Sequence, residues 1–429
     1  MPSSRSLSLN SETTRPKLLA GLTWIARIIF GVTFIFSGFV KAIDPWGTIY
    51  KFEEYFSALG IPLLHSIVVL AAFGLFTIEF LIGIFFLFGC YRRSNPWFGL
   101  AFMCVMLPLT LWIAIMNPVA DCGCFGDAIT LSNWATFWKN VVLTLIALWL
   151  VKFNLRAIPL VSPAFQWIAA VVSVVFTLVI SVYGYKIQPL VDFRPYPIGT
   201  TIPAEEDPEA ESSFLFVYEK DGERIQVSED DDLPDENDGW HFVERIENQP
   251  TVSVTTESRT FRVWNSESDE DISEELLSSG QIMLLLMPDL GSISPAATWK
   301  INQLYENNKK AGIQTIGVVD ASKEVIAAWS DLSMPQYPIY TADDTAIKEV
   351  ARGNPAAVYL SDGVIEYKAV MNSVDIDDNS GENISQISEK YRGRKNPLLF
   401  FTLIYFAIMM ILVGASFLPT IRKSFKYTH

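Results

Sequence analysis

The sequence predicts a membrane α-helical bundle, a four-helix unit followed by two further spans, joined to an extramembrane α/β domain. Three observations predict it. Six apolar stretches, 18–40, 64–88, 97–116, 137–153, 167–185 and 398–418, reach the length of about 20 residues that a bilayer demands. Half of the 429 residues are hydrophobic, more than an ordinary water-soluble chain carries. The charge is also divided. Most of the 47 acidic residues fall within 187–397, which accounts for the formal net charge of -15, while the remainder of the chain is net basic. An acidic domain of this kind excludes nucleic acid as a partner, because a phosphate backbone needs Lys and Arg. The lipid bilayer is the partner that the apolar stretches require.

Residues 1–17 read as a cytoplasmic tail, polar and Ser-rich with Arg5, Arg15 and Lys17. The apolar run that follows is longer than the core of a secretory signal and lacks a small-residue cleavage site, so it reads as a span. The fourth stretch is short and is expected to borrow residues between Trp134 and Lys139. Arg92 and Arg93, Lys152 and Arg156, and Arg422, Lys423 and Lys426 all share one side with the amino terminus if the chain alternates across six spans. Basic loops face the cytoplasm. The opposite side then receives the loop around 121–127 and the whole of 187–397. Arg392, Arg394 and Lys395 dissent, since they give the sixth span basic flanks at both ends. The expected divisions are 18–156 for the four-helix unit, 157–186 for the fifth span, 187–397 for the acidic domain and 398–429 for the sixth span and its tail.

Two charges lie deep in the apolar runs, Arg27 in the first and Glu79 in the second. Each sits ~15 Å from its cytoplasmic flank at 1.5 Å per residue. Unpaired charges at such depth cost several kcal/mol, so the two are expected to pair. The pair reads either as a packing device or as a proton or cofactor contact. Lys41 ends the first apolar run. It reads either as a neighbour that favours a thiolate or as a lysine snorkelling to the interface. Trp46 and Tyr50 follow as interface anchors, in a loop that continues through KFEEYF.

Between the third and fourth spans the chain reads DCGCFGD, from Asp121 to Asp127. Cys122 and Cys124 are two of the four cysteines, one residue apart. Two thiols at that spacing form a small-ring disulfide or hold a soft metal, though no further Cys, Met or His ligand lies nearby. Gly123 and Gly126 supply the backbone freedom such a ring needs. Cys104 is 18 residues, or ~27 Å of helix, from the turn, while a disulfide needs alpha carbons within about 7 Å. Cys90 and Cys104 therefore read as small apolar fillers.

The pattern of Arg27 with Gly31, then Ser37-Gly38, Lys41, Asp44-Pro45, Glu79, Gly89 with Arg92-Arg93, and DCGCFGD before Asn140 resembles the DoxX/MauE group of four-helix membrane proteins over residues 20–155. The CGCFG turn is the most MauE-like element. Relatives act in membrane thiol and sulfur redox, one as a quinone-reducing subunit acting on thiosulfate, another in maturation of a disulfide-rich enzyme. The resemblance implies a bacterial inner-membrane protein with its large domain in the periplasm and a periplasmic or membrane protein as client. It further implies a redox-active Cys122–Cys124 pair, with Arg27, Glu79 and Lys41 as candidate cofactor contacts and a quinone as the implied cofactor.

In 187–397, SFLFVYEKDGERIQV reads as a hairpin about Asp221-Gly222, and FVERI and SVTTESRTFRVW as strands. IMLLLM and GIQTIGVVD read as buried strands, with helices at 296–310 and 323–330 and a final helix, strand and hairpin through 337–368. Alternating strand and helix predicts an α/β sandwich. IMLLLM, GIQTIGVVD and the Asn354-Pro355 step resemble a TlpA-like thioredoxin-fold domain. Where that family carries CxxC, this chain reads MPDLGSISPA, and the domain holds no cysteine. It cannot exchange thiols itself. Three functions follow: a membrane oxidoreductase of thiol:quinone type working through the CxC turn, a non-enzymatic assembly or transport factor whose domain binds a partner, and soft-metal capture, in that order.

Overall fold

The computed structural model describes residues 9–202, 214–247 and 261–426, apart from 62, 120–121, 221–222, 229–240, 279, 377–380 and 394. Six helices are long and apolar enough to cross a membrane: Leu18–Ile43, His65–Phe88, Asn95–Met116, Asn133–Arg156, Gln166–Lys186 and Leu398–Phe417. The chain is a multi-pass membrane protein. The expected spans match these within a few residues. The fourth gains its extra length at its start, where Ser132 caps the helix by accepting from the Ala135 N–H at 3.3 Å.

Helices α1 (Leu9–Ile43), α3 (His65–Phe88), α4 (Asn95–Met116) and α5 (Asn133–Phe153) form the four-helix unit, and α6 (Gln166–Lys186) packs beside it. Small residues set the register of α1 on α3. A Cβ on Gly38 would lie 2.6 Å from the Phe80 nitrogen, and one on Gly83 would lie 2.6 Å from the Ile35 nitrogen. Only glycine allows two backbones to approach so closely in a membrane. Around that seam pack Phe30, Phe34 and Phe86 on one side and Phe76, Phe80 and Phe176 on the other.

This register overturns the expected Arg27–Glu79 pair. Arg27 lies level with the end of α3, where its Nε donates to the Phe86 carbonyl at 2.9 Å and its Nη1 to the Ile158 carbonyl at 3.3 Å. Phe86 is seven residues, ~10 Å, beyond Glu79 along the helix. Equal depth assumed that both helices begin flush, but α1 overhangs α3 by more than two turns at that end. Glu79 pairs with Lys41 instead.

The expected loop after the first span is a helix, α2 (Pro45–Ala58). Asp44 caps it, accepting from the Gly47 N–H at 3.1 Å, and Pro45 occupies the first turn, where its missing N–H costs nothing. Its apolar face, with Trp46, Ile49 and Tyr50, is buried. Trp46 stacks on Tyr185 with centroids 4.7 Å apart. Trp46 and Tyr50 are thus core residues rather than interface anchors, because the extramembrane domain covers this end of the bundle.

That domain contains two sheets. Strands β1 (Phe214–Lys220), β2 (Glu223–Ser228) and β3 (His241–Glu247) form an antiparallel sheet in the order β2-β1-β3. The Asp221-Gly222 turn lies outside the described residues, as does most of SVTTESRTFRVW, whose Trp264 makes only isolated bridges to Asp271 and Thr341. Short helix α7 (Ser273–Leu277) leads into β4 (Gln281–Met287). There follow α8 (Pro295–Lys310), β5 (Gln314–Val319), α9 (Lys323–Ser333), β6 (Ile339–Thr341), α10 (Asp344–Val350), β7 (Ala356–Ser361), β8 (Val364–Val370) and α11 (Ile384–Tyr391). The second sheet runs β6-β5-β4-β7-β8, with β4, β5 and β6 parallel and β7 and β8 antiparallel. Successive side chains of a strand point to opposite faces. Ile282, Leu284 and Leu286 therefore pack with Ile347 and Val350 of α10, while Met283, Leu285 and Met287 pack with Ile301 and Leu304 of α8 and Ile384 and Ile387 of α11. Helices on both faces explain why β4 reads as a continuous apolar run. The Asn354–Pro355 bond is cis.

The last helix, α12 (Leu398–Lys426), returns beside α6, where Ser173 Oγ and Tyr405 Oη lie 2.9 Å apart in a buried contact.

Candidate functional site

The thiol turn hangs between α4 and α5. Asn117 ends α4 with positive φ, and Asn133 Nδ2 donates to Asn117 Oδ1 at 2.7 Å and to the Val119 carbonyl at 3.1 Å, tying the ends of the loop together. Gly123 has φ of +62°, which favours glycine, and its N-terminal neighbour is fixed by the Tyr55 hydroxyl, which donates to the Cys122 carbonyl at 2.6 Å. The turn thus holds Cys122 Sγ 3.0 Å from Cys124 Sγ. Asp121 lies outside the described residues.

The two thiols sit in different surroundings. Cys122 is buried beside Ile113 and Val119. Cys124 faces a small slot lined by Ser37, Lys41, Glu79, Lys139 and Asn140. Lys139 Nζ lies 4.1 Å from the centroid of the Phe125 ring, next in the chain to Cys124. A hydrogen bond from Cys122 stabilises the Cys124 thiolate most. Lys139 and Lys41 add to it against the cost of burial, and together they bring Cys124 down to about 6. The same hydrogen bond, then burial, pushes Cys122 up.

Lys41 is 4 % exposed and does not snorkel. Its ammonium lies 2.8 and 2.9 Å from the two carboxylate oxygens of Glu79. Ser37 Oγ lies 2.9 Å from Glu79 Oε2 and 2.6 Å from the Cys124 carbonyl. The structure therefore brings Cys122, Cys124, Lys41 and Glu79 together and leaves Arg27 at the far end of the bundle. Cys90 is buried there near Arg27, and Cys104 faces outward from α4.

Arg352 links the domain to this turn. Arg352 Nε donates to Asp44 Oδ2 at 2.9 Å, Nη1 to the Lys348 carbonyl at 3.2 Å, and Nη2 to Asp127 at the end of the turn. The next residue, Gly353, donates its N–H to the Tyr50 hydroxyl at 3.3 Å. Arg352, Ser37, Tyr55 and Lys139 all escaped the sequence reading as site residues. For Ser37 a signal existed, its adjacency to Gly38 on the helix seam; for Arg352 there was none, since its two carboxylate partners lie more than 200 residues away.

Residues 19–153 match one family, methylamine utilisation protein MauE. The match spans the four-helix unit and the thiol turn, about a third of the chain. No curated protein matches the chain.

The slot beside Cys124 has a volume of about 30 Å³, room for a water molecule or two. The ring of a quinone does not fit it, and with Arg27 displaced the three expected contact residues do not converge.

Proposed function

We propose that the chain is a membrane thiol–disulfide exchange protein in which Cys124 attacks and Cys122 resolves. The observation that carries this reading is the unequal pair. Two thiols 3.0 Å apart share a turn, and Cys124 lines the slot that holds Lys41 and Lys139 while Cys122 is buried among Ile113 and Val119. The thiolate is the nucleophile in exchange, and nearby cations favour it. The Cys124 thiolate attacks one sulfur of a client disulfide, forming a mixed disulfide, and the client's other sulfur leaves as a thiolate that takes up a proton. Cys122 then attacks Cys124 Sγ and loses its own proton, and the client's second thiolate leaves. The client disulfide is reduced by two electrons, and the CxC pair is oxidised by two. With a client dithiol the same steps run backward.

We further read the domain as thioredoxin-like. Its sheet order, the helices on both faces and the cis Asn354–Pro355 step support this. All four cysteines lie between 90 and 124, so the domain serves the turn without exchanging thiols. We read the turn and domain as lying on the periplasmic side of a bacterial inner membrane, a reading that the basic flanks support. A second reading, a non-enzymatic assembly factor, draws on the same lack of domain cysteines.

Differential alkylation of Cys122 and Cys124 across a series of redox buffers separates the two. A midpoint between about -120 and -270 mV is expected for an exchange catalyst. A bond still closed below about -300 mV belongs to a structural disulfide and would sink the exchange reading.

A further inference from the structure

The slot that Cys124 lines limits what can meet the sulfur there. Its volume of about 30 Å³ excludes a ring, a peptide or an alkyl chain and admits one or two oxygen-sized atoms. Two cations line it, and they are not equivalent. Lys41 is taken up by Glu79 at 2.8 and 2.9 Å. Lys139 rests over the Phe125 ring at 4.1 Å, and among the described residues no carboxylate pairs with it. Beside a nucleophilic sulfur the slot thus holds an ammonium that is open to an anion formed during reaction. A thiolate attacks electrophiles. An electrophile of two oxygen atoms that releases an anion on attack is hydrogen peroxide.

The second thiol is placed to finish that reaction. Cys122 Sγ lies 3.0 Å from Cys124 Sγ, and Cys122 does not line the slot. One sulfur meets the oxidant while the other waits beside it. Sulfur oxidised next to a resolving thiol stops at the disulfide, because the sulfenic acid condenses before a second oxidant arrives.

We propose that the slot is a peroxide site, in which Cys124 reduces hydrogen peroxide and the turn passes the resulting disulfide to a client dithiol. The Cys124 thiolate attacks one oxygen. The O–O bond breaks as the S–O bond forms, the sulfur is oxidised by two electrons, and the other oxygen leaves as hydroxide beside Lys139 and takes a proton from solvent. Cys122 then attacks Cys124 Sγ. The S–S bond forms, the S–O bond breaks, and the hydroxyl departs with the Cys122 proton as water. One peroxide and one client dithiol give two waters and one client disulfide. This rests on the exchange reading and names its oxidant.

The test uses the reduced full-length protein in detergent, with Cys122 and Cys124 read by peptide mass spectrometry. Hydrogen peroxide should form one Cys122–Cys124 disulfide per peroxide consumed, and Cys122→Ser should instead leave a sulfenic acid on Cys124 that dimedone captures. The slot is read from the ratio of rates with hydrogen peroxide and with tert-butyl hydroperoxide. Dividing by the same ratio for free glutathione cancels the intrinsic reactivity of the two reagents. A quotient of about tenfold or more is expected, and a lower one overturns the proposal. Lys139→Met should slow peroxide oxidation by more than about tenfold, since one group stabilising a developing anion is worth roughly a hundredfold. Alkylation by iodoacetamide, measured at the plateau of each variant's pH profile, should hold its rate, because departing iodide needs no such help. A peroxide rate slowed no more than alkylation overturns the proposal as well. If Lys139→Met does not fold, the quotient decides alone. The redox-buffer titration uses no peroxide. A midpoint in the exchange range with a low quotient sinks the peroxide site alone, whereas a bond that stays closed in those buffers with a high quotient sinks the exchange reading and leaves the peroxide step standing.

Discussion

Replacing Arg352 with methionine removes the cation that holds the domain on the thiol turn while keeping most of the buried stem. The side chains of Arg352 and Asp44 are 7 % and 10 % exposed, and their contact is 2.9 Å. Removing one partner of a buried pair costs about 3–5 kcal/mol, because the other charge stays buried and unpaired. Asp127 is 32 % exposed. Its share falls toward the ~1 kcal/mol of a surface pair and does not change the estimate. At about 1.4 kcal/mol per tenfold, docking should weaken by roughly a hundred- to several thousandfold. Amide hydrogen exchange reads this, since local opening raises exchange where contacts are lost. Exchange should accelerate in α2 and in residues 122–128, while β4 and β7 stay protected. Adding Asp44→Asn to Arg352→Met should recover part of the loss, and coupling above about 1 kcal/mol identifies a direct interaction. If the two substitutions act additively, or if exchange in the turn is unchanged, Arg352 does not hold the turn and the argument fails.

Cys124 is expected to react with iodoacetamide from about pH 6 upward and to lose reactivity as pH falls below that, since only the thiolate reacts; Cys122 should stay unreactive at neutral pH, as peptide mass spectrometry of the alkylated protein will show. Gly38→Leu should abolish accumulation in membranes, because even its Cβ would meet α3 backbone at 2.6 Å; Gly74→Ala, which meets nothing within 4 Å, should accumulate normally on immunoblots. Cysteine substituted at Asp238 should be labelled by an impermeant maleimide from the side opposite to one substituted at Ser424, and labelling from the same side would remove either the fifth or the sixth span.

The spans were legible because their length and composition leave a bilayer as the only solvent that suits them. IMLLLM was legible for a related reason: a strand covered on both faces must be apolar throughout. Residues 45–58 were misread because Lys51, Glu53 and Glu54 within a short helix make it look like a charged loop. The Asp44-Pro45 start was the available clue. Arg27 and Glu79 were mispaired because depth counted from the flanks ignores helix overhang. The register depends on Gly38 and Gly83, and glycines do not enter a charge count. Lys41 was left between two readings because whether it reaches water depends on what caps the bundle, and that cap is folded from residues far along the chain. Strand β6 and helices α7 and α11 are too short for periodicity to announce them.

The domain leaves the bundle from α6 and re-enters it through α12, and Ser173 and Tyr405 pin these two helices together. Both of its ends are therefore tethered at neighbouring points. A module held on short tethers meets its docking face at an effective concentration in the millimolar range. An undocked domain cannot diffuse away from the turn, and its return is a first-order event independent of how much protein the membrane holds. Such a contact can be released and remade many times without loss of the partner, so a few hydrogen bonds from Arg352 and Gly353 suffice where two separate proteins would need a full interface.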